Sequence, residues 1–140
     1  MENQKYDILN AADSTAIARA AVAILIEKRA LDVRLYKVAE NSAITDYYVN
    51  ATGRSALNTS ALSGYVTDGL SLRGVNEEHI EGKSSGAWIL IDYRDVIVNI
   101  FDKESRDFYN FDRLMPEGAE VDISDIIAEV DEKLQGLKNN

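Results

Sequence analysis

The chain has 140 residues, of which 46% are hydrophobic and 28% charged, with no cysteine, one histidine and a formal net charge of −9. This composition favours one soluble globular domain, and it excludes disulfides, thiolate chemistry and metal sites built from several histidines. The negative charge disfavours direct binding to nucleic acid, whose phosphates attract Lys and Arg, and favours a basic protein surface as partner.

Nothing in the sequence indicates a membrane protein. The longest strongly apolar run, residues 20–26, is far shorter than the roughly 20 residues that a membrane-spanning helix needs. Residues 1–13 place acidic and amide residues before any apolar run, the wrong order for a secretory signal. We therefore expect a cytoplasmic protein.

The first half of the chain predicts two helices from the spacing of apolar residues, and two strands from β-branched and aromatic content. In chain order these elements are a helix at residues 14–29, strands at 32–38 and 45–52, and a helix at 55–73. Ser14 and Ser55 are the expected caps of the two helices. The residues at 40–42 favour a turn between the strands.

The second half predicts a hairpin followed by two helices. In chain order the elements are strands at 87–93 and 96–101, a short helix at 104–111, and a final helix at 123–134. Both hairpin strands are apolar enough to be covered at least in part on both faces. Pro116 and Gly118 mark a loop, and residues 136–140 are expected to fray.

These elements in this order predict an α/β (α+β) fold, with a mixed sheet of about five strands and helices packed on it. We expect residues 1–140 to form a single domain. The C-terminal helix would cover residues 123–135, with a short tail after it.

The enzymatic alternative rests on Gly53, Arg54 and Ser55, which lie between a strand and a helix, where backbone amides can bind phosphate. A nucleotidyltransferase also needs paired carboxylates on a following strand to hold two divalent ions. Asp92 and Asp95 are three residues apart at a hairpin tip, whereas residues on one face of a strand are two apart. A plain strand-to-helix turn explains the segment better.

Other candidate groups have simple structural interpretations. Asp32 follows a helix and Asp46 opens a strand, so turn and capping roles explain both carboxylates. His79 lies among acidic residues in a predicted loop, with no second histidine to form a metal or acid–base set. We expect neither catalysis nor a bound metal or cofactor from these residues.

The unusual feature is aromatic. Phe101 and Phe111 are expected in the core, whereas Trp88 and Tyr109 are candidates for interface anchors, because large amphipathic rings are favoured there and no pocket chemistry explains them. The residues alone therefore favour a protein-binding surface with an acidic border.

Several segments resemble the ribosomal silencing factor (RsfS/Iojap) family. Residues 41–49, which read Asn-Ser-Ala-Ile-Thr-Asp-Tyr-Tyr-Val, resemble the family's Ser-Ser-x-x-Thr-Asp-Tyr-Phe-Val, and residues 53–55 resemble its Gly-x-Ser. Residues 81–82, 88–101 and 104–109 resemble its Glu-Gly, Trp-Val-Leu-Leu-Asp-Tyr-Gly-Asp-Val-Val-Val-His-Ile-Phe and Glu-x-Arg-x-Phe-Tyr segments. In this order, the motifs cover the chain from about Ser14 to Asp122.

The resemblance implies a nucleotidyltransferase-like fold that lacks the catalytic carboxylates. It also implies binding to the large ribosomal subunit through ribosomal protein L-fourteen, which hinders joining with the small subunit and represses translation. Three residues depart from the family pattern: Asn99 replaces histidine, Arg94 replaces the glycine of the hairpin turn, and Met115 replaces a tryptophan. We expect a different turn conformation at Arg94.

We expect the hairpin and the following helix to carry the binding residues, which are Trp88, Leu90, Asp92 and Tyr93, supported by Arg106 and Tyr109. Strand alternation places Trp88, Leu90 and Asp92 on one face. Two other interpretations stay open: a nucleotidyltransferase-type enzyme acting on a nucleotide, and a homodimeric adaptor without a ribosomal role.

Overall fold

The computed structural model describes residues 7–38 and 44–138. The helices in these ranges are α1 (Ser14–Glu27), α2 (Ala56–Leu72), α3 (Lys103–Tyr109) and α4 (Ser124–Lys138), with a 3₁₀ helix at Phe111–Leu114. The strands are β1 (Leu31–Lys37), β2 (Tyr47–Gly53), β3 (His79–Glu81), β4 (Trp88–Asp92), β5 (Val96–Asp102) and β6 (Glu120–Val121). The predicted turn at 40–42 and the last two residues of the predicted tail lie outside the described residues.

The six strands form one mixed sheet in the order β3-β4-β5-β2-β1-β6. β2 and β5 are parallel, and the other neighbouring strands are antiparallel. The predicted mixed α/β fold is confirmed, although β3 and β6 were missed because strands of three and two residues are too short to show alternation. His79, predicted in a loop, lies instead on the edge strand β3.

One face of the sheet packs against α1 and α2. Successive side chains of a strand point to opposite faces, and Val49 of β2 points to the helical side, where it joins Leu25 of α1 and Leu62 of α2 in one buried cluster. The other face is covered in part by α3 and the 3₁₀ helix, which contact β2 and β5. Part of this face of the sheet is therefore open to a binding partner.

Side-chain caps fix the starts of the first two helices. α1 is capped by Asp13 rather than by Ser14, because the Asp13 carboxylate accepts a hydrogen bond from the Ala16 N–H at 3.0 Å. Ser14 lies inside the helix and its hydroxyl donates to Asp46. Ser55 caps α2, as predicted.

The C-terminal helix packs against α1 and is longer than predicted. Ile126 and Val130 are buried, and Asp125 and Lys133 form ion pairs with α1. α4 continues to Lys138, so the chain does not leave the helix at Gly136, where fraying was expected. One exposed glycine destabilises a helix by about 1 kcal/mol relative to alanine. The packing of the amphipathic face of α4 outweighs this cost. Within the described ranges, no helix is long and apolar enough to cross a membrane.

Candidate protein-binding face

β4 presents three of the predicted site residues to the partly covered face of the sheet. Trp88, Leu90 and Asp92 alternate with Ile89 and Ile91, which are fully buried against the helices. The first three remain partly exposed. One strand therefore supplies apolar side chains to the core and, on its other side, an indole, an aliphatic group and a carboxylate.

The indole of Trp88 packs within a cluster of aromatic rings from β5, α3 and the 3₁₀ helix. Its centroid lies 4.9 Å from that of Tyr109, 5.0 Å from that of Phe101 and 5.9 Å from that of Phe111. These separations are typical of favourable aromatic pairs. Phe101 is fully buried, as predicted for a core residue. The inner side of Trp88 is thus held by other rings.

Phe108 and Tyr109 extend this cluster into solvent. Phe108 is 78% exposed and Tyr109 53% exposed, and their rings meet edge to face at 5.0 Å. We call Trp88, Leu90, Phe108 and Tyr109 the aromatic face. Phe108 was not among the predicted site residues, because the sequence of a seven-residue helix does not reveal which side is covered. The sequence feature that could have identified Phe108 is its position next to Tyr109, a predicted site residue.

A chain of side-chain hydrogen bonds runs beneath the aromatic face. The Trp88 Nε1–H donates to Asn99 Oδ1 at 3.0 Å, and Asn99 Nδ2 donates to Asn50 Oδ1 at 3.1 Å. Asn50 Nδ2 then donates to Asp112 Oδ1 at 2.8 Å. Both asparagines are fully buried, and they are direct partners in the register of β2 and β5.

Arg106 does not project toward solvent from α3. Its side chain is only 6% exposed, and its Nε donates to Asp112 Oδ2 at 2.6 Å while a terminal nitrogen donates to the Thr52 hydroxyl at 2.8 Å. Arg106 therefore ties α3 to the 3₁₀ helix and to β2. It supports the aromatic face from below rather than offering its charge to a partner.

Asp112 is the acceptor at the centre of this network, which also includes the Tyr36 hydroxyl at 2.9 Å. Burial alone would raise the pKa of Asp112, but hydrogen bonds from Arg106 and Asn50, together with the Arg106 charge, outweigh burial and lower it. The pKa of Tyr36 is raised to about 12 by burial and by its hydrogen bond to Asp112. The carboxylate is therefore ionised and Tyr36 is protonated at neutral pH.

Tyr93 lies on the opposite side of the sheet from the aromatic face. Its side chain is 7% exposed and belongs to the cluster buried under the helices. Its hydroxyl is buried without a protein partner among the described residues, and burial raises its pKa. Tyr93 is therefore a core residue in this fold and is not available to a partner at the aromatic face.

The hairpin turn after β4 is held by Asp92, whose carboxylate accepts a hydrogen bond from the Arg94 N–H at 2.6 Å. Arg94 has a φ of 76°. Across it, the Asp95 N–H donates a hydrogen bond to the Tyr93 carbonyl at 3.0 Å. This positive φ is one that glycine adopts without cost. Arginine therefore occupies a backbone conformation suited to glycine at this turn.

Acidic side chains border the aromatic face on the β3 side. Glu81 is paired directly opposite Leu90, and His79 opposite Asp92, so these side chains project on the same face. Glu81 and His79 contact one another at 2.7 Å. Glu81 and Asp92 make this border negatively charged.

The Gly53–Ser55 segment is occupied by contacts within the chain. Ser55 accepts from the Asn58 N–H, and Asn58 Oδ1 in turn accepts from the Arg54 N–H at 2.9 Å. A Cβ on Gly53 would lie 2.6 Å from the Thr59 side chain, so glycine is required for the close approach of strand and helix. These features fit a capped strand-to-helix turn, and two amides at the helix start already have partners.

The proposed carboxylate pairs have separate structural partners. Asp32 pairs with Arg34 at 2.9 Å, whereas Asp46 accepts from the Ser14 hydroxyl at 2.9 Å. Asp92 holds the hairpin turn. In the part of the chain that the structure describes, no three His, Asp or Glu side chains are grouped as metal ligands.

Comparison with known proteins identifies the family. The family model described as ribosomal silencing factor during starvation matches residues 11–139. The chain is 34% identical over 98 residues to the ribosomal silencing factor RsfS of Zymomonas mobilis, covering 70% of this chain and 74% of that protein. It is 26% identical over 96 residues to the mouse protein named mitochondrial assembly of ribosomal large subunit protein 1, covering 66% of this chain and 42% of that protein.

The fold has a relative of known structure. A crystal structure of a protein from Chromobacterium violaceum matches with a TM-score of 0.71 and 25% identity, covering 80% of this chain and 96% of that one. The matched range of the family model includes β2, β4, β5 and α3, which carry the motifs that resemble this family. The chain belongs to the ribosomal silencing factor family.

Proposed function

We propose that this protein binds the large ribosomal subunit through ribosomal protein L-fourteen, obstructs joining with the small subunit and so represses translation without catalysis. The aromatic face carries the contact, bordered by Glu81 and Asp92. Family membership supports the ribosomal role. The mouse relative, whose name refers to the large ribosomal subunit, supports the choice of subunit.

The observation that carries this proposal is the aromatic face itself. Its rings are well packed beneath yet exposed above, with Phe108 at 78%. Buried aromatic anchors contribute a large share of binding energy at protein interfaces. Phe108 and Tyr109 do not belong to the hydrophobic core cluster of the described residues. Contact with a partner protein would explain why these large rings are present at the surface.

Charge supports a basic partner. The net charge of −9 and the acidic border beside Leu90 would accelerate the encounter with a basic protein and fix its orientation. A partner that covers this face blocks other contacts sterically, so repression needs no chemical step. The capped start of α2 is consistent with this non-catalytic role.

Co-sedimentation with separated ribosomal subunits tests the proposal. We expect the protein to pellet with large subunits, to bind isolated L-fourteen, and to reduce subunit joining in a reconstituted assay. Phe108→Ala should weaken each effect, whereas Leu57→Ala, at an 82% exposed position on α2, is the matched control. Binding to the small subunit alone, or normal joining at saturating protein, would overturn the proposal. Nucleotide transfer by the purified protein would favour an enzyme instead.

A further inference from the structure

The hydrogen bonds beneath the aromatic face have a fixed direction. A carboxamide side chain can donate from nitrogen or accept at oxygen, and a flip by 180° exchanges the two. Asn50 and Asn99 could therefore be arranged in either direction if nothing fixed one end of the chain. Only one direction leaves an oxygen of Asn99 to accept from the indole N–H of Trp88.

Asp112 fixes that end. An ionised carboxylate can only accept hydrogen bonds, so it requires Asn50 to present its nitrogen. Asn50 then presents its oxygen to Asn99, and Asn99 presents its own oxygen to Trp88. Arg106 keeps the carboxylate paired and in place through its 2.6 Å contact.

Burial makes this ordering effective. Both asparagines are fully buried, and a buried polar group without a partner is costly, so a reversed amide would leave donors facing one another. The chain of bonds joins the 3₁₀ helix to β2, β5 and β4 in sequence. Asp112 in the 3₁₀ helix thereby sets the orientation of the Trp88 ring on β4.

We propose that Asp112 is a positioning residue for Trp88, acting through Asn50 and Asn99 to hold the indole N–H inward and the benzene edge of the ring outward. This inference rests on the proposed function for its biological meaning. With its only side-chain donor occupied, Trp88 offers a partner an apolar ring edge and no hydrogen bond. The matching partner chemistry is an aliphatic side chain, because the edge of an aromatic ring is its electropositive side and does not attract cations.

Trp88 is the only tryptophan of the chain, so its indole N–H can be followed alone in a ¹⁵N–¹H spectrum of the labelled full-length protein. Asn99→Leu removes the acceptor of the indole N–H directly, so its spectrum shows the full effect of losing this hydrogen bond. Asp112→Leu and Asn50→Leu should reproduce it, shifting the indole resonance and accelerating its exchange with solvent about tenfold, the factor expected for one lost hydrogen bond. Asp102→Ala is the control, because it removes the α3 cap at Ser105 outside this chain of bonds.

The outcome separates positioning from general destabilisation. A wild-type indole shift and exchange rate in Asp112→Leu, with an altered one in Asn99→Leu, would overturn the proposal. The same change in Asp102→Ala would also count against it. If Asp112→Leu does not fold, the double variant Arg106→Met/Asp112→Leu replaces it, because exchanging both members of an ion pair for apolar residues is better tolerated.

Binding provides a second measurement. Asp112→Leu should weaken attachment to large subunits about tenfold, because a mobile indole loses preorganisation. Wild-type affinity in a variant whose indole has moved would contradict the link between position and binding. If the wild-type protein does not bind ribosomes at all, the proposed function fails, while the indole spectra still decide whether Asp112 positions Trp88.

Discussion

Arg106 and Asp112 are six residues apart in the chain and lie 2.6 Å apart from Nε to Oδ2, beneath an aromatic cluster. Their side chains are only 6% and 21% exposed. The pair joins α3 to the 3₁₀ helix, and hydrogen bonds to Asn50, Tyr36 and Thr52 tie both elements to the sheet.

Replacing one member of this pair should destabilise the fold. Arg106→Ala leaves Asp112 without its cation, and losing one partner of a buried pair costs about 3 kcal/mol. Urea unfolding measures the loss. The double variant Arg106→Met/Asp112→Leu should regain part of this stability, and a double variant less stable than Arg106→Ala would contradict the assignment.

Trp88→Ala should affect both stability and binding, because the ring is packed beneath and partly exposed above. We expect the free energy of unfolding to fall by about 2 kcal/mol, less than for a fully buried ring, and binding to weaken by about 2 kcal/mol. Melting curves and large-subunit affinity give the two values.

Phe108→Ala provides the comparison, since this ring is 78% exposed. Its melting curve should stay within about 0.5 kcal/mol of the wild type, while its binding weakens. A Phe108→Ala protein that melts normally and binds normally would remove this ring from the interface.

The charge of Asp92 should control the association rate rather than the fold. Asp92→Asn removes the charge but retains an oxygen that can accept from the Arg94 N–H. We expect slower association with large subunits at low salt and little difference at high salt, where surface charges are screened. Rates should be measured by stopped flow across a salt series. Equal rates for both proteins at every salt concentration would mean that Asp92 only holds the turn.

Acid should weaken the fold through Asp112. Its folded-state pKa is lowered: burial raises it, but hydrogen bonds from Arg106 and Asn50 outweigh burial. The stabilisation is therefore complete above the unfolded aspartate pKa of about 3.9 and is lost as pH falls through the lower folded value. Below about pH 4, the free energy of unfolding should fall more steeply for the wild type than for Asp112→Asn. Parallel pH profiles from urea unfolding would exclude this contribution.

Arg94→Gly should stabilise the hairpin. Arg94 has a φ of 76°, and a side chain in that region costs about 1 kcal/mol that glycine avoids. We expect a gain of somewhat less than this, because glycine also increases the entropy of the unfolded chain. Asn110→Gly is the matched control, since asparagine tolerates its φ of 51°. A loss of stability in Arg94→Gly would show that its ion pair with Glu78 matters more than the backbone conformation.

The sequence by itself determined the periodic elements and one face of the site. Alternation along β4 placed Trp88, Leu90 and Asp92 together, because a strand has only two sides. The largely apolar sequence of β5, interrupted by Asn99, indicated cover on both faces, and this strand is buried throughout except at Asp102. These features depend on neighbours along the chain, which a sequence displays directly.

The tertiary structure decided which predicted site residues are accessible. Arg106 was predicted as a supporting contact, but its partner Asp112 belongs to a separate helical turn, and only the packing of both on β2 buries them. Tyr93 follows β4 and continues its alternation, so its side chain points to the face that packs against the helices and is buried there. The polar chain from Trp88 to Asp112 exists because parallel pairing of β2 and β5 brings Asn50 beside Asn99, 49 residues away in sequence. Such pairings depend on strand order and register, which no local pattern of residues contains.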